Sequence, residues 1–438
     1  MITYNLAAKL FESFSVLRWN DRLRPFELCE IEHHALKAML TYFLGKSAEE
    51  TGNHVDWYHI VKINVLDLMN KISTSDIQSP VREELKDEEE FKKLILTDWS
   101  KRSIGLNVDV LEYINNYVKP TDKNSLSYKI LRFAHKYITI REFAIIEKFA
   151  LADEDNTEVK NRITKELESV IDESFKAEGR SLCDRDQTKW IVIIMDIIER
   201  LRYQTRWSQT PRVPKTSVLG HSMYCAMLTF FMSIEAKLEE NRVINNFYAA
   251  LFHDLPEAIS GDIISPVKRA SKAIEDLVTR KEKQLCEEKI FKHIPDYLRL
   301  DFRFITGQMC SKGDSLHKDQ LTDNNCIKFV DQIKEFNKHA EFSNRILSDS
   351  KRYIIVPWGK EEKTYQETMA MFSDKNGVDG KMIRLCDCIA AFMEARMSIQ
   401  HGIRSLHLDN GLSSMINSCR GKRIYELAID DFFDSITI

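Results

Sequence analysis

Apolar residues recur at intervals of three and four along most of this chain, the spacing that gathers them on one face of an α-helix. From Ile2 to Leu17 they are Leu6, Leu10, Phe11, Phe14 and Leu17. Arg18-Trp19 and a polar loop containing Pro25 follow. Glu30 to Phe43 predicts a second helix, carrying His33, Leu36, Ala38, Met39, Leu40 and Phe43, and Trp57 to Ile72 a third. Helical patterns continue over 83–148, interrupted near Gly105 and Lys119-Pro120, and the Glu-rich run at 83–90 reads as a solvated helix face. Asp153 to Glu178 is heavily charged and predicts a solvated linking helix that breaks at Gly179-Arg180-Ser181. Trp190 to Tyr203 then opens another amphipathic helix, with Arg206-Trp207 behind it. The stretch Tyr353 to Gly359 is β-branched and predicts a strand or hairpin arm.

The pattern restarts halfway. Trp19 precedes His33 by 14 residues, and Trp207 precedes His221 by the same 14. The helix from His33 to Leu40 lies over His221 to Leu228, and Asp67 to Arg82 lies over Asp254 to Lys268 with one extra residue in the earlier segment. His135, with Glu142 seven residues on, lies over Asp387 with Glu394 seven on. All these matches in one order predict a tandem duplication. The expected arrangement is all-α: a first helical domain at 1–150, a charged helical linker at 151–185, and a second helical domain at 186–438. An insertion at about 306–374 makes the second copy the longer.

Composition narrows the classes of function. In 438 residues there are only 14 Gly and 9 Pro, which suits a helical protein. The net charge is −4, so no bulk basic field points to nucleic acid. Nine scattered cysteines without framework spacing favour reduced thiols and a cytoplasmic location. The first residues lack the pattern of a signal peptide, and no apolar run is long enough to span a membrane.

Ionisable residues concentrate at His253-Asp254, Glu257 and Asp262, directly after the apolar run Phe247 to Leu251. Charged groups beside an apolar run are costly unless paired or bound to a metal. His221, His253, Asp254 and Asp387 are the candidate ligands, each on or at the end of an apolar helix. A nitrogen and carboxylate set suits a divalent ion: Mn, Co, Fe, Zn or, with more water, Mg. Neighbouring helical residues point about 100° apart, so His253 and Asp254 can share an ion only near a helix end. Pro256 supplies that disruption. Glu257 falls one turn beyond His253, placed for general acid or base work, and Asp262 follows Gly261 in a turn facing the same cleft. Asp331 is a rival to Asp387, set aside because Arg384, Asp387 and Glu394 match the first copy. Cys386 and Cys388 read as buried thiols.

His221, His253-Asp254 and Asp387 resemble the H…HD…D signature of the HD-domain metal-dependent phosphohydrolases. Arg206-Trp207 at its fixed distance from His221, with Glu257 and Asp262 after the His-Asp pair, resembles the bacterial 5'-deoxynucleotidase branch. The resemblance implies that His221, His253, Asp254 and Asp387 hold the metal, that Glu257 is catalytic and that Asp262 supports it. It further implies that Arg206 holds the phosphate and Trp207 packs against sugar or base. The implied reaction is hydrolysis of deoxyribonucleoside 5'-monophosphates by a metal-activated water. A triphosphohydrolase or phosphodiesterase of the same superfamily, and a nucleotide-sensing regulatory protein, are the alternatives. Compact members pair as homodimers, so an internal pseudo-dimer is expected here, and the implied partner is a small nucleotide substrate. The first copy has Leu66 for His253, Asn70 for Glu257 and His135 for Asp387, the pattern of a degenerate copy. His33, Asp67 and His135 leave a three-ligand set open there.

Overall fold

Two compact units make up the chain in a computed structural model. The structure describes residues 1–75, 77, 79–85, 88–102, 124–149, 154–170, 189–261, 271–306 and 378–436. Among these residues the architecture is all-α, with only two short two-stranded sheets. None of the described helices is long and apolar enough to cross a membrane. The β-branched stretch Tyr353 to Gly359, most of the expected insertion, Asp262 and Asp331 lie outside the described residues.

The N-terminal unit comprises Asn5–Arg206 and Pro214–Tyr224. In order it contains α1 (Tyr4–Phe11, apart from Tyr4), β1 (Leu17–Arg18), β2 (Leu28–Cys29), α2 (Glu30–Glu50), α3 (Trp57–Ser73), α4 (Ser79–Leu85) and α5 (Glu89–Arg102). Next come α6 (Leu126–Glu147), α7 (Glu154–Glu168), α8 (Lys189–Ile198) and α9 (Arg200–Tyr203). Helix α2 is the centre: it packs against α3, α6 and α8, and polar as well as apolar positions on it are buried. A helix buried on all sides loses the one-faced pattern of a surface helix, because it has no solvent face to mark. Gly45 lets α3 come close, since a methyl group there would meet the Trp57 ring at 2.4 Å. Side-chain caps fix where the neighbouring helices start. Asp56 accepts from the His59 N–H at 2.9 Å and Ser125 from the Tyr128 N–H at 3.3 Å. Each satisfies a donor that a helix start leaves open, worth about 1 kcal/mol. Helix α7 buries Val159, Ile163 and Leu167, and Phe143 with Trp19 closes that cluster.

The C-terminal unit comprises Met1–Tyr4, Trp207–Val213 and Cys225–Ile438. Helix α10 (Val218–Glu235) is continuous, and from Cys225 onward it belongs to this unit. It is followed by α11 (Glu240–Phe252), α12 (Glu257–Ser260), α13 (Lys272–Lys289) and α14 (Asp296–Ile305). Beyond the undescribed segment lie α15 (Gly380–Gln400), α16 (Leu406–Cys419), the hairpin of β3 (Arg423–Ile424) with β4 (Leu427–Ala428), and α17 (Asp430–Asp434). Helix α11 packs on α14 and α15, and α15 on α16.

One buried carboxylate ties these pieces together. Asp379, fully buried at the start of α15, accepts from Arg242 Nε at 2.9 Å and Nη2 at 2.6 Å, from Asn246 Nδ2 at 2.9 Å and from the Tyr425 hydroxyl at 2.8 Å. Burial alone would raise its pKa, but the Arg242 guanidinium and these hydrogen bonds outweigh burial and hold it below the usual range. Arg242 and Asn246 stand on α11 and Tyr425 in the hairpin, so the network sets the position of α15 against α11.

Candidate metal centre

Helix α11 stops at Phe252, and His253 is its cap residue, still at helical angles (φ −63, ψ −33). The next residues turn: the Leu255 N–H donates to the Phe252 carbonyl at 3.1 Å, and the Glu257 N–H to the Asp254 carbonyl at 3.0 Å. Pro256 leads directly into α12. This departure from regular helix lets the adjacent side chains of His253 and Asp254 converge. His253 Nε2 lies 3.2 Å from Asp254 Oδ1 and 4.0 Å from Asp387 Oδ1, the latter carried by α15.

The ring of His253 is oriented through its other nitrogen. Nδ1 lies 2.7 Å from the Ala250 carbonyl oxygen. A carbonyl can only accept, so Nδ1 carries the hydrogen, and Nε2 faces the two carboxylates with either a lone pair or a second proton. A lone pair directed at carboxylate oxygens is repulsive unless a cation lies between them. A backbone carbonyl on one ring nitrogen is also the usual means of orienting a metal-binding histidine. The residues therefore fit a divalent ion.

The donor atoms of His221, Cys225, His253 and Asp387 all lie within 4.8 Å of one another. Donors on opposite sides of an ion bound at roughly 2.0–2.3 Å are about 4–4.6 Å apart, so the group has the size of a single-ion site. His221 and Cys225 are fully buried one turn apart on α10, so the helix itself fixes their relation. The His253 and Asp254 side chains are mostly buried, whereas that of Asp387 is 42% exposed, which gives the centre a closed side and an open side. Asp254 lies beside this group through its contact with His253, and Glu257 is half-buried at the start of α12. Cys225 does not figure in the reading of the sequence. Its signal there is a cysteine four residues after His221 on an apolar helix.

Arg206 and Trp207 lie in a turn next to the paired residues Thr205 and Ser217, and the Arg206 N–H donates to the Thr216 carbonyl at 2.9 Å. Trp207 takes a left-handed backbone (φ 55), unusual for a bulky side chain. Its indole donates to Glu394 at 2.8 Å, its ring rests 3.2 Å from where a side chain on Gly411 would begin, and the Arg212 guanidinium lies 5.7 Å from the ring centre. Glu394 is buried on α15, two turns beyond Asp387. Cys386 is buried, while Cys388 is half-buried with its sulfur 3.2 Å from that of Cys419.

The N-terminal unit repeats this local geometry with different chemistry. Leu17 pairs with Cys29 twelve residues on, as Thr205 pairs with Ser217. Trp19 has the same left-handed backbone (φ 54), and its indole lies 3.4 Å from Glu142. Glu142, fully buried, also accepts from Arg18 Nε at 2.7 Å, Arg202 Nη2 at 2.7 Å and His33 Nδ1 at 3.2 Å. Burial pushes its pKa up, and the cations beside it push harder the other way, holding it well below the ordinary value. His33, lowered to about 4 by burial and by Arg18, stays neutral. With Nδ1–H given to Glu142, its Nε2 accepts from His135 Nδ1 at 3.0 Å. Lys37, one turn beyond His33 as Cys225 is one turn beyond His221, is buried and donates to Asp67. His33, Asp67 and His135 are thus engaged with side-chain partners of their own.

Residues 198–415 match the family model described as HD domain. Relatives named 5'-deoxynucleotidase come from several bacteria. That of Shewanella oneidensis is 28% identical over 109 residues, 24% of this chain and 55% of the relative. That of Pectobacterium atrosepticum is 25% identical over 154 residues, 33% of this chain and 74% of the relative, and that of Yersinia pestis is 28% identical over 114 residues, 25% and 57% respectively. The chain therefore spans little more than half the length of the Shewanella and Yersinia proteins. No solved structure matches it. The HD pair at a helix end, the histidine on α10 and the aspartate on α15 occupy the matched region, and this region belongs to the HD-domain superfamily, resembling its 5'-deoxynucleotidase branch.

Proposed function

We propose that the second copy, residues 186–438, is a divalent-metal phosphohydrolase acting on deoxyribonucleoside 5'-monophosphates. The observation that carries this reading is the convergence of His221, His253 and Asp387, with Asp254 against His253. Resemblance to named 5'-deoxynucleotidases supports the substrate class. His221, His253, Asp254 and Asp387 hold the ion. When bound, a divalent ion polarises a phosphoryl oxygen and makes water acidic enough to attack at neutral pH. Glu257, one turn past His253, takes up and returns the proton. Arg206 pairs with the phosphate through its planar fork of donors. Trp207, anchored by its indole to Glu394, offers its remaining ring surface to sugar or base. Asp262 completes the proposed set as support for Glu257.

A tandem duplication with a degenerate first copy is part of the same proposal. It is supported by the backbone pairings Leu17–Cys29 and Thr205–Ser217 at the same spacing, the left-handed Trp19 and Trp207, and the matching indole contacts with Glu142 and Glu394. A cytoplasmic location suits the cysteines, none of which forms a disulfide among the described residues.

Metal content and phosphate release, measured together over a panel of deoxy- and ribonucleotides, test the assignment. The expected result is bound metal with release from deoxynucleoside monophosphates, and loss of both in His253→Ala. Unchanged metal content and hydrolysis in His253→Ala and Asp254→Ala would end it. Release from triphosphates or cyclic diesters alone would keep the metal centre and replace the substrate.

A further inference from the structure

The structure assigns Cys225 to the metal centre: we infer that its thiolate is a ligand, and that the resident ion is a thiolate-accepting one such as zinc, cobalt or iron rather than magnesium. This rests on the phosphohydrolase reading for the existence of the centre, but not for the identity of the donor.

Three observations carry it. The Cys225 sulfur lies within 4.8 Å of donor atoms on His221, His253 and Asp387. A cysteine four residues after a histidine shares its helix face, so the two can close on one ion without any change of backbone. The N-terminal unit shows independently where this position points. Lys37 stands one turn after His33 as Cys225 stands one turn after His221, and its ammonium reaches Asp67, the counterpart of Asp254. The position thus directs its side chain at Asp67 on α3 in one unit, and at the ligand cluster in the other. A cationic side chain there stands where a metal would, whereas a thiol there can bind one.

The consequence is a centre softer than nitrogen and carboxylate alone would make. Thiolate donors favour zinc, cobalt and iron, whereas magnesium takes oxygen donors and keeps its water. Coordination breaks the S–H bond, forms a sulfur–metal bond and releases the proton to solvent.

Cobalt(II) titration of the full chain, followed by absorption, tests this. The expected result is a near-ultraviolet thiolate-to-cobalt charge-transfer band alongside the visible d–d bands. The charge-transfer band should vanish in Cys225→Ser and in Cys225→Val, the latter preserving apolar packing at the buried position. It should persist in Cys386→Ser, which removes the neighbouring buried thiol. Zinc affinity should fall about tenfold or more in Cys225→Val, on the scale of losing a ligand-supporting contact, with manganese affinity little changed. A wild-type spectrum with d–d bands that His253→Ala abolishes, but with no charge-transfer band, overturns the assignment of Cys225 and leaves the metal centre standing. Absence of any cobalt spectrum sensitive to His253→Ala overturns the centre itself.

Discussion

Replacing Lys37 by Met should destabilise the N-terminal unit without removing metal from the chain. Lys37 is 1% exposed and its ammonium is bound to Asp67, whose side chain is 33% exposed. At an effective dielectric of about 20, opposite unit charges about 3 Å apart attract by roughly 5 kcal/mol, most of it offset by desolvation. Removing one partner of a buried pair typically costs about 3–5 kcal/mol, because the other charge is stranded. Asp67 is exposed enough for water to recover part of that loss, so the expected cost is about 2–3 kcal/mol. Methionine keeps the length and unbranched stem of lysine, so little of the loss comes from packing. Near 2–4 °C per kcal/mol for a domain of this size, the transition should fall by about 4–12 °C. Calorimetry on the full chain reads it, with the two units free to melt in separate transitions. Lys37→Met combined with Asp67→Leu should recover part of the loss, giving a coupling of about 1–2 kcal/mol. A fall of less than about 1 °C in the single variant, or strict additivity in the double, refutes the role given to Lys37.

Three further expectations follow from the same contacts. His33 faces Glu142, Arg18 and His135, with its folded pKa lowered to about 4 from 6.5. The unfolded chain therefore takes up a proton that the folded chain refuses, and stability should fall as pH drops from about 6.5 toward about 4; His33→Asn should flatten that slope in urea titrations. Asp379→Asn removes the charge that Arg242 grips twice, and should cost about 3–5 kcal/mol, read as a lower transition temperature of the C-terminal unit. Trp207→Phe takes one donor from the buried Glu394 and should cost about 1–3 kcal/mol in stability. Its effect on hydrolysis should fall on KM more than kcat, as for a ring that packs against the substrate, and a kcat loss alone would contradict that role.

The sequence by itself determined the helical class, because apolar spacing of three and four is a local property that each segment carries without its neighbours. It also marked His221, His253, Asp254 and Asp387, since a His-Asp pair beside Pro256 is chemically conspicuous wherever the chain folds. The repeated pattern of Arg18-Trp19 and Arg206-Trp207 was countable in one dimension. Tertiary structure decided what spacing cannot express. Cys225 looks like any core thiol until α11 and α15 bring His253 and Asp387 to it. Glu142 and Glu394 are single acids on long helices until the indoles of Trp19 and Trp207 reach them. Nothing in the sequence singles out Lys37, yet α2 is buried along most of its length and the Lys37 ammonium meets Asp67 there. These assignments depend on which side chains share a buried volume, and burial removes water as the alternative partner. A charge or thiol that water would have satisfied must then find its counterpart in another part of the chain.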